Sequence, residues 1–302
     1  MTLDKKSIED ITWWVVNVMH SFNPIGIGNP GAGLTIKTDA SDIGWGGYME
    51  NSSALGHWSE PEKKWHINVR ELKAVIFSLT SLVGNLEGQH FKVMSDNTTT
   101  VHSINNMGTC RSIPCNEVVM EIWGWLARTN NWVTATYIPG KENVEADKLS
   151  REQELSMEWM LCPKVLQSIL THFGLSPTID MFASRINKQM DTFVSYGPDP
   201  ESTYVDAFSL DWGVFPLIYA FPPFACIGRV VRKLINDKAN AILITPNWKT
   251  QYWYPLLFNN ANGHPYFLSP SNKVLRLPSE LTLRHPMKRL QLVAWKVFGK
   301  RT

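Results

Sequence analysis

Residues 36–45 read Ile-Lys-Thr-Asp-Ala-Ser-Asp-Ile-Gly-Trp, and they place a carboxylate, Asp39, at the end of an alternating apolar run. Leu34 and Ile36 make that alternation, and small residues with several glycines follow it. The pattern predicts a strand that leads through a tight turn into a second strand. An aspartate after a strand usually holds a turn, so Asp39 by itself indicates little.

Three more acids occur in comparable settings. Glu71 lies three residues after Asn68, which opens a predicted helix, and it could simply complete a capping box there. Asp96 ends a predicted strand, and with Asn97 it could cap the next helix. Asp147 lies near the start of a short helix, where a solvated acid is common. Hard divalent cations need several oxygen ligands, so four such acids favour metal-dependent phosphodiester cleavage.

The order of elements indicates the fold class. The predicted elements are a helix over 5–22, strands over 34–38, 44–50 and 54–58, a helix from Asn68, a strand over 91–95, helices through Val101 and over 116–129, a strand over 132–138 and a short helix near Asn143. Residues 51–53 would form the hairpin turn. This order predicts an α/β domain with a mixed five-stranded sheet and helices, with the acids placed to converge.

Length and composition set the limits on function. The 302 residues suffice for two domains, and 44% hydrophobic residues with 19% charged residues indicate folded cores. A net charge of +2 allows a nucleic-acid partner without requiring one. The four cysteines lack the paired spacing of a metal site, which favours free thiols in a reducing compartment. Neither a signal peptide nor a membrane span is apparent, so we expect an intracellular protein, in cytoplasm or nucleus, without a membrane partner.

The segment 34–152 resembles the ribonuclease H domain of retroelement reverse transcriptases, in particular those of DIRS-type and gypsy-like retrotransposons. Four motifs carry the resemblance, in the same order: Thr38-Asp39-Ala40-Ser41, Arg70-Glu71-Leu72, Ser95-Asp96-Asn97, and Asn143 to Arg151 preceded by Ile138-Pro139-Gly140. The resemblance implies a ribonuclease H-like domain over 31–152. The helix and linker over 1–30 resemble the segment that joins polymerase to ribonuclease H.

The resemblance also implies a chemistry and a ligand set. Two magnesium ions, or manganese in their place, would be held by the four acids. Asp39 would bridge both ions, Glu71 and Asp96 would complete one site, and Asp147 the other. The substrate would be the RNA strand of an RNA–DNA hybrid, and a reverse transcriptase polymerase domain would be a partner. A catalytically silent nucleic-acid-binding or scaffold remnant of a polyprotein stays open as the alternative.

Two features of related enzymes have no clear counterpart here. The segment between Ile104 and Asn116 is too short for the extra basic helix with which some cellular ribonucleases H grip the hybrid, which suggests weak substrate binding without the polymerase. His66 and His102 match the mobile histidine of some family members only by residue type.

The second half begins a new pattern. Its landmarks are a predicted helix over 158–173, the segments 178–184 and 206–212, apolar runs at 217–220 and 241–245 that predict buried parallel strands, and a helix over 225–236 between them. This order resembles Dam-like adenine methyltransferases, which follow ribonuclease H in DIRS-type retrotransposons. It implies a second α/β domain, methyltransferase-like, over 153–280.

By that resemblance Asp180 lies in the cofactor region, and Pro222, Pro223 and Phe224 lie in the catalytic tetrad. Phe221 stands where the family carries an aspartate or asparagine, and its side chain cannot accept a hydrogen bond. DNA adenine methyltransferase is therefore the third function class, and we expect neither binding of S-adenosylmethionine nor methyl transfer.

The predicted tail over 281–302 is basic. It contains Arg284, Lys288, Arg289, Lys296, Lys300 and Arg301 and no acids. Such a run is typical of a solvated face, and contact with a phosphate backbone is the sharper alternative.

Overall fold

The computed structural model describes residues 3–17, 33–84, 86–151, 159–270, 273–286 and 290–299. Helix α1 (Lys5–Asn17) confirms the start of the predicted helix over 5–22, and residues 18–22 lie outside the described residues. So do the loop over 23–31, Glu158, and four of the tail cations, Lys288, Arg289, Lys300 and Arg301. No helix in the described part of the chain is long and apolar enough to cross a membrane.

Residues 33–151, called the first unit here, contain the predicted mixed five-stranded sheet. Its strands are β1 (Leu34–Ala40), β2 (Gly44–Met49), β3 (Ser52–His57), β4 (His90–Ser95) and β5 (Trp132–Tyr137). They lie in the order β3-β2-β1-β4-β5. The first three strands form an antiparallel meander, and β4 and β5 run parallel to β1. The carboxyl ends of β1 and β4 therefore meet at one edge of the sheet.

The hairpin turn differs from its predicted position. Met49 pairs with Ser52, so the turn consists of Glu50 and Asn51 alone. Glu50 adopts a left-handed conformation with φ of 51°, which the alternation of apolar residues does not reveal. Strand β2 therefore ends one residue earlier than predicted, and β3 begins two residues earlier. The predicted turn over 51–53 is wrong by one to two residues.

Four helices cover the first sheet: α2 (Ile67–Val83), α3 (Thr98–Asn105), α4 (Ile113–Arg128) and α5 (Val144–Ser150). Helix α4 begins three residues before its predicted start, because the Ser112 hydroxyl accepts a hydrogen bond from the Cys115 amide and Pro114 fits the first turn. Helices α2 and α4 pack together on the core of the sheet, where Ile36, Leu72 and Ile122 are fully buried.

Residues 159–299, called the second unit here, form a second α/β assembly. Its elements are β6 (Met160–Leu161), α6 (Pro163–Phe173), β7 (Ile179–Asp180), β8 (Val194–Ser195), β9 (Tyr204–Val205), β10 (Ile218–Ala220), α7 (Ile227–Asn236), β11 (Ala241–Pro246), α8 (Trp253–Asn260), β12 (Tyr266–Phe267), β13 (Leu275–Arg276) and β14 (Leu292–Val297). Five strands make the main sheet, in the order β12-β14-β11-β10-β7. Strands β10 and β11 are parallel, as predicted. Strand β7 is also parallel to β10, whereas β14 runs antiparallel to β11.

Two hydrophobic cores lie on the two faces of this sheet. Ile218 and Leu243 belong to the core beneath α7 and α8, and Tyr219 and Ile242 belong to the core beneath α6. Neighbouring residues of one strand point to opposite faces, so both faces are covered by helices. Helix α6 begins at Pro163, later than predicted, because β6 occupies the preceding residues.

Part of the predicted basic tail belongs to this sheet. Strand β14 lies between β11 and β12, and Val293 and Trp295 are fully buried. The predicted division at residue 280 is therefore not a boundary of the structure. The apolar residues within 292–297 place this segment in the sheet, although basic residues flank it.

The two units contact each other through the loop that leads into α2. Both guanidinium nitrogens of Arg185 bond to the Glu62 carboxylate, at 2.5 and 3.0 Å, and one also donates to the His57 carbonyl at 3.2 Å. The same guanidinium lies 4.6 Å from the centre of the Phe77 ring on α2. Lys63 donates to the Ser279 carbonyl at 2.5 Å. Arg185 therefore joins the second unit to the first through a buried, two-point ion pair.

Candidate active site

Three carboxylates meet at the edge of the first sheet. Asp39 lies in β1, Asp96 follows the last residue of β4, and Glu71 lies in the second turn of α2, which packs across β1 and β2. One ligand oxygen from each lies within 4.8 Å of the other two. Asp39 and Glu71 are buried, with 6% and 5% of their surfaces exposed. Oxygen ligands this close together could hold a divalent cation, which takes several of them.

The electrostatics of this group are unfavourable without a cation. Burial, and then the charges of Asp39 and Asp96, raise the pKa of Glu71 to about 9. The Oε2 atom of Glu71 is buried without a hydrogen-bond partner. Burial also raises the pKa of Asp39, with a contribution from Asp96 and Asp147, although the Ser150 hydroxyl opposes it. Crowded, buried carboxylates either take up protons or bind positive charge.

Asp147 stands apart from the three. It lies in the first turn of α5, as predicted, but its Oδ1 atom accepts a hydrogen bond from Nε of Arg151 at 2.8 Å and forms an ion pair with Nη2 of the same residue at 2.8 Å. Its side chain is 44% exposed. It still lies close to the site, because the Ser150 hydroxyl contacts both the Asp39 carboxylate and the Asp147 carbonyl. The structure thus brings three of the four predicted ligands together and leaves the fourth beside them, paired to a cation.

Helix α5 reaches the site because Gly46 on β2 has no side chain. A Cβ atom there would lie 2.6 Å from both the Ala146 carbonyl oxygen and the Cβ atom of Leu149. The close packing brings the Ser150 hydroxyl to 2.5 Å from Oδ2 of Asp39 and to 2.9 Å from the Asp147 carbonyl. Ser150 belongs to the Asn143–Arg151 motif, which assigns it no role by itself. In the structure Ser150 is the hydrogen-bond partner of Asp39.

Neither Glu71 nor Asp96 acts as a helix cap in the structure. His66 caps α2, with its Nδ1 atom accepting from the Asn68 amide at 3.2 Å, so the alternative explanation of Glu71 as part of a capping box with Asn68 does not hold. Asn97 caps α3 by accepting from the Thr100 amide at 3.0 Å. Asp96 is therefore not the cap of α3, and His66 acts here as a helix cap.

Two further residues support the site. Arg70, next to Glu71, is 7% exposed, and it donates to the Ser41 carbonyl and to the Asp42 carboxylate at 2.8 Å. It ties the turn after β1 to α2. A Cβ atom on Gly140 would lie 2.8 Å from Oδ2 of Asp96, so a side chain there would displace that carboxylate. The sequence does contain features that point to these two residues. Arg70 is adjacent to Glu71, a candidate ligand, and Gly140 lies in the Pro139-Gly140 turn.

The residues predicted for a cofactor in the second unit have other contacts. Asp180 is 2% exposed, and its two oxygens accept from the amides of Phe182 and Gln189 at 3.2 and 3.1 Å. Burial raises its pKa to about 7, against those two hydrogen bonds. Pro222 and Pro223 follow β10, and the ring of Phe224 lies against Trp248. In the described residues Asp180 holds a loop, and Phe224 belongs to an aromatic cluster.

Residues 29–112 match the family model described as the RNase H-like domain found in reverse transcriptase. This match includes Asp39, Glu71 and Asp96. Asp147 lies beyond it.

Two curated viral proteins, both named enzymatic polyprotein, are similar to the chain. The protein of Figwort mosaic virus (strain DxS) is 28% identical over 178 residues, which cover 50% of this chain and 25% of the viral protein. That of Carnation etched ring virus is 29% identical over 173 residues, with 49% and 25% covered. The chain thus spans about a quarter of the length of these relatives.

Several solved structures are similar to part of the chain, and three of them follow. LC11-RNase H1 in complex with an RNA/DNA hybrid is 19% identical, with a TM-score of 0.34, over 38% of this chain and 92% of that one. RNase H1 of Halobacterium salinarum NRC-1 is 14% identical, with a TM-score of 0.32, over 38% and 92%. Foamy viral protease-reverse transcriptase in complex with dsDNA is 16% identical, with a TM-score of 0.26, over 46% and 30%.

Proposed function

We propose that the first unit is a metal-dependent ribonuclease H that hydrolyses the RNA strand of RNA–DNA hybrids. The observation that carries the proposal is the convergence of Asp39, Glu71 and Asp96 at one edge of the sheet. The match of residues 29–112 to RNase H-like domains of reverse transcriptases supports the same class of reaction. Selection of RNA would depend on the ribose hydroxyls, which lie in the wide, shallow groove of such duplexes.

The residues fit a divalent cation. Glu71 has a buried oxygen without a partner, and its pKa of about 9 reflects burial and like charge that a cation would relieve. Asp39, Glu71 and Asp96 would hold the ions, and Asp147 would join them after exchanging Arg151 for metal. When bound, magnesium would neutralise charge on the phosphate oxygens and lower the pKa of a bound water.

The protein's own groups have positioning roles in this proposal. Ser150 orients the Asp39 carboxylate, and Arg70 fixes the turn after β1 against α2. Gly140 keeps the space next to Asp96 open. A reverse transcriptase polymerase domain, in cis or in trans, would supply further grip on the hybrid, and a DIRS-type retroelement is the proposed source of the chain.

The decisive experiment uses the full chain and a hybrid whose RNA strand carries a 5′ fluorophore. We expect the RNA strand to be cut with magnesium and to remain whole with EDTA. Matched single-stranded RNA, RNA duplex and DNA duplex should remain whole under both conditions. An uncut hybrid with magnesium and with manganese, in a protein that still binds it, would instead identify the silent nucleic-acid-binding remnant.

We infer for the second unit a methyltransferase-like layout that transfers no methyl group. Parallel strands β7, β10 and β11 beside the antiparallel β14, with helices on both faces, support the layout. Phe221, which precedes Pro222 and Pro223, offers no acceptor to a target amine. Labelled S-adenosylmethionine with adenine-rich DNA tests this. Transfer above background that is lost in Phe224→Ala would contradict it.

A further inference from the structure

Helix α7 presents two arginines on the outer surface of the second unit. Arg229 and Arg232 are three residues apart, which places them on the same side of the helix, and both are exposed. Their inner neighbours Val230, Val231 and Leu234 pack into the core below. The outer side of α7 is therefore a cationic surface, with the helix N-terminus adding partial positive charge at its start.

Both guanidinium groups lie on aromatic rings and not on carboxylates. The Arg229 guanidinium is 3.7 Å from the centre of the Phe208 ring, and that of Arg232 is 5.7 Å from the centre of the Tyr252 ring. Within the described part of the chain, neither arginine has an ion-pair or hydrogen-bond partner. Three other cations of this unit do pair with carboxylates: Arg185 with Glu62, Lys188 with Glu201 and Lys233 with Asp237.

Tyr252 completes this surface, which we call the arginine face: Arg229, Arg232, Phe208 and Tyr252. A Cβ atom on Gly228 would lie 1.8 Å from the Tyr252 hydroxyl oxygen, so the glycine allows the ring to lie directly against α7. The tyrosine is nevertheless 61% exposed. An exposed aromatic ring thus lies beside the Arg232 guanidinium, one helical turn from Arg229.

We propose that the arginine face binds single-stranded nucleic acid. Stacked guanidinium groups keep their N–H donors free for phosphate oxygens, in the planar geometry that suits them. An exposed ring can stack on a base only where the base is unpaired. The combination of phosphate donors with an exposed ring fits a single strand better than a duplex, whose bases are already stacked. This site is separate from the carboxylates of the first unit and extends the proposed function with a second contact to nucleic acid.

The test measures binding by fluorescence anisotropy, with the full chain in EDTA so that nothing is cut. The probes are a labelled 20-nucleotide DNA strand without self-complementarity and a blunt RNA–DNA hybrid. The variants are Arg229→Ala/Arg232→Ala, the charge-retaining Arg229→Lys/Arg232→Lys, and Tyr252→Ala. The control is Lys164→Ala/Arg276→Ala, which removes two exposed cations from α6 and β13, elements associated with the other face of the sheet.

We expect the double alanine variant to bind the single strand about tenfold more weakly than the parent and the control. The slope of log affinity against log salt concentration should be shallower by about 1.4, which is the value for two lost phosphate contacts on a single strand. The double lysine variant should retain the salt dependence and lose part of the affinity. Tyr252→Ala should weaken binding by about fivefold or more.

Three results would overturn the proposal: single-strand affinity unchanged in the double alanine variant, an equal loss in the control, or a loss on the blunt hybrid as large as on the single strand. Circular dichroism melting of each variant establishes that it is folded. Cleavage of the hybrid with magnesium is assayed separately. A parent that binds through the arginine face but does not cut would refute only the nuclease, and a parent that cuts with an inert arginine face would refute only this site.

Discussion

The two units each bury a carboxylate whose pKa is raised, and the two environments differ in what the oxygens contact. In the second unit both oxygens of Asp180 accept backbone amides, so the charge is distributed over a loop that it holds in place. In the first unit Glu71 keeps a buried oxygen without a partner, next to two other acids. Burial and a raised pKa are common to both. The unmet hydrogen-bonding capacity separates a group arranged for a ligand from one that stabilises the fold.

Glu62, at the contact between the units, is a third environment. Its carboxylate is buried like the other two, yet it carries a two-point ion pair with Arg185 and bonds from Ser59. Burial would raise its pKa, but the hydrogen bond and charge of Arg185, together with Ser59, lower it. Buried carboxylates therefore occur in three settings in one chain. Glu71 has an unpaired oxygen, Asp180 accepts backbone amides, and Glu62 pairs with a cation.

The largest expected effect is on cleavage. Asp39→Asn removes the charge at the centre of the carboxylate group while keeping its shape, and we expect hybrid cleavage to fall by about a thousandfold or more. The thermal midpoint should stay the same or rise slightly, because repulsion among the acids decreases. Glu117→Gln is the control, since Glu117 is an exposed acid on α4 and is not part of the carboxylate group. Magnesium-dependent cleavage retained in purified Asp39→Asn would remove Asp39 from the site.

The next effect concerns the pair at the unit contact. Arg185→Met leaves the Glu62 carboxylate buried without its cation, which costs about 3–5 kcal/mol of stability. Lys188→Met is the control, because its exposed pair with Glu201 contributes at most about 1 kcal/mol. Melting curves of both variants provide the comparison. Glu62→Gln/Arg185→Met should recover part of the loss, and equal melting of the two single variants would show that the Arg185 pair contributes little.

A smaller effect distinguishes Asp180 from Glu71. Asp180→Asn turns one acceptor into a donor that faces a backbone amide, so we expect a loss of about 1–3 kcal/mol. Cleavage per folded molecule should be unchanged. Glu71→Gln should do the opposite, with melting unchanged or higher in EDTA and cleavage lost. If Asp180→Asn abolished cleavage at full stability, the distinction drawn from hydrogen-bond partners would be false.

The smallest effect is a pH dependence. The pKa of Glu62 is lower in the folded protein than its ordinary value of 4.5, so its contribution to stability is present above about 4.5 and is lost as the pH falls through the folded value. The difference in thermal midpoint between the parent protein and Glu62→Gln should therefore be greatest near neutral pH and shrink in acid. A difference that grows below pH 4.5 would contradict the assigned direction.

The residues of the site could be predicted because each lies in a short motif with its own local meaning. Their contacts could not, because they depend on side chains from elsewhere. The start of α2 was misplaced since His66, a weak cap by residue type, accepts the Asn68 amide. The spacing of four residues between Asp147 and Arg151 indicates an ion pair on a helix. The sequence does not reveal that Asp147 forms this pair instead of joining the other three acids. Arg185 and Glu62 are 123 residues apart, and nothing local relates them.

Strand β14 has a consequence for the order in which the chain can acquire its structure during synthesis. All five strands of the first sheet are present once residue 137 has left the ribosome. The second sheet lacks an inner strand until residues 292–297 emerge, because β14 lies between β11 and β12. Until then the edge of β11 is open to any other extended segment. The first unit can therefore fold early and offer Glu62 as a docking point, while the second unit stays vulnerable to mispairing until its last described strand arrives.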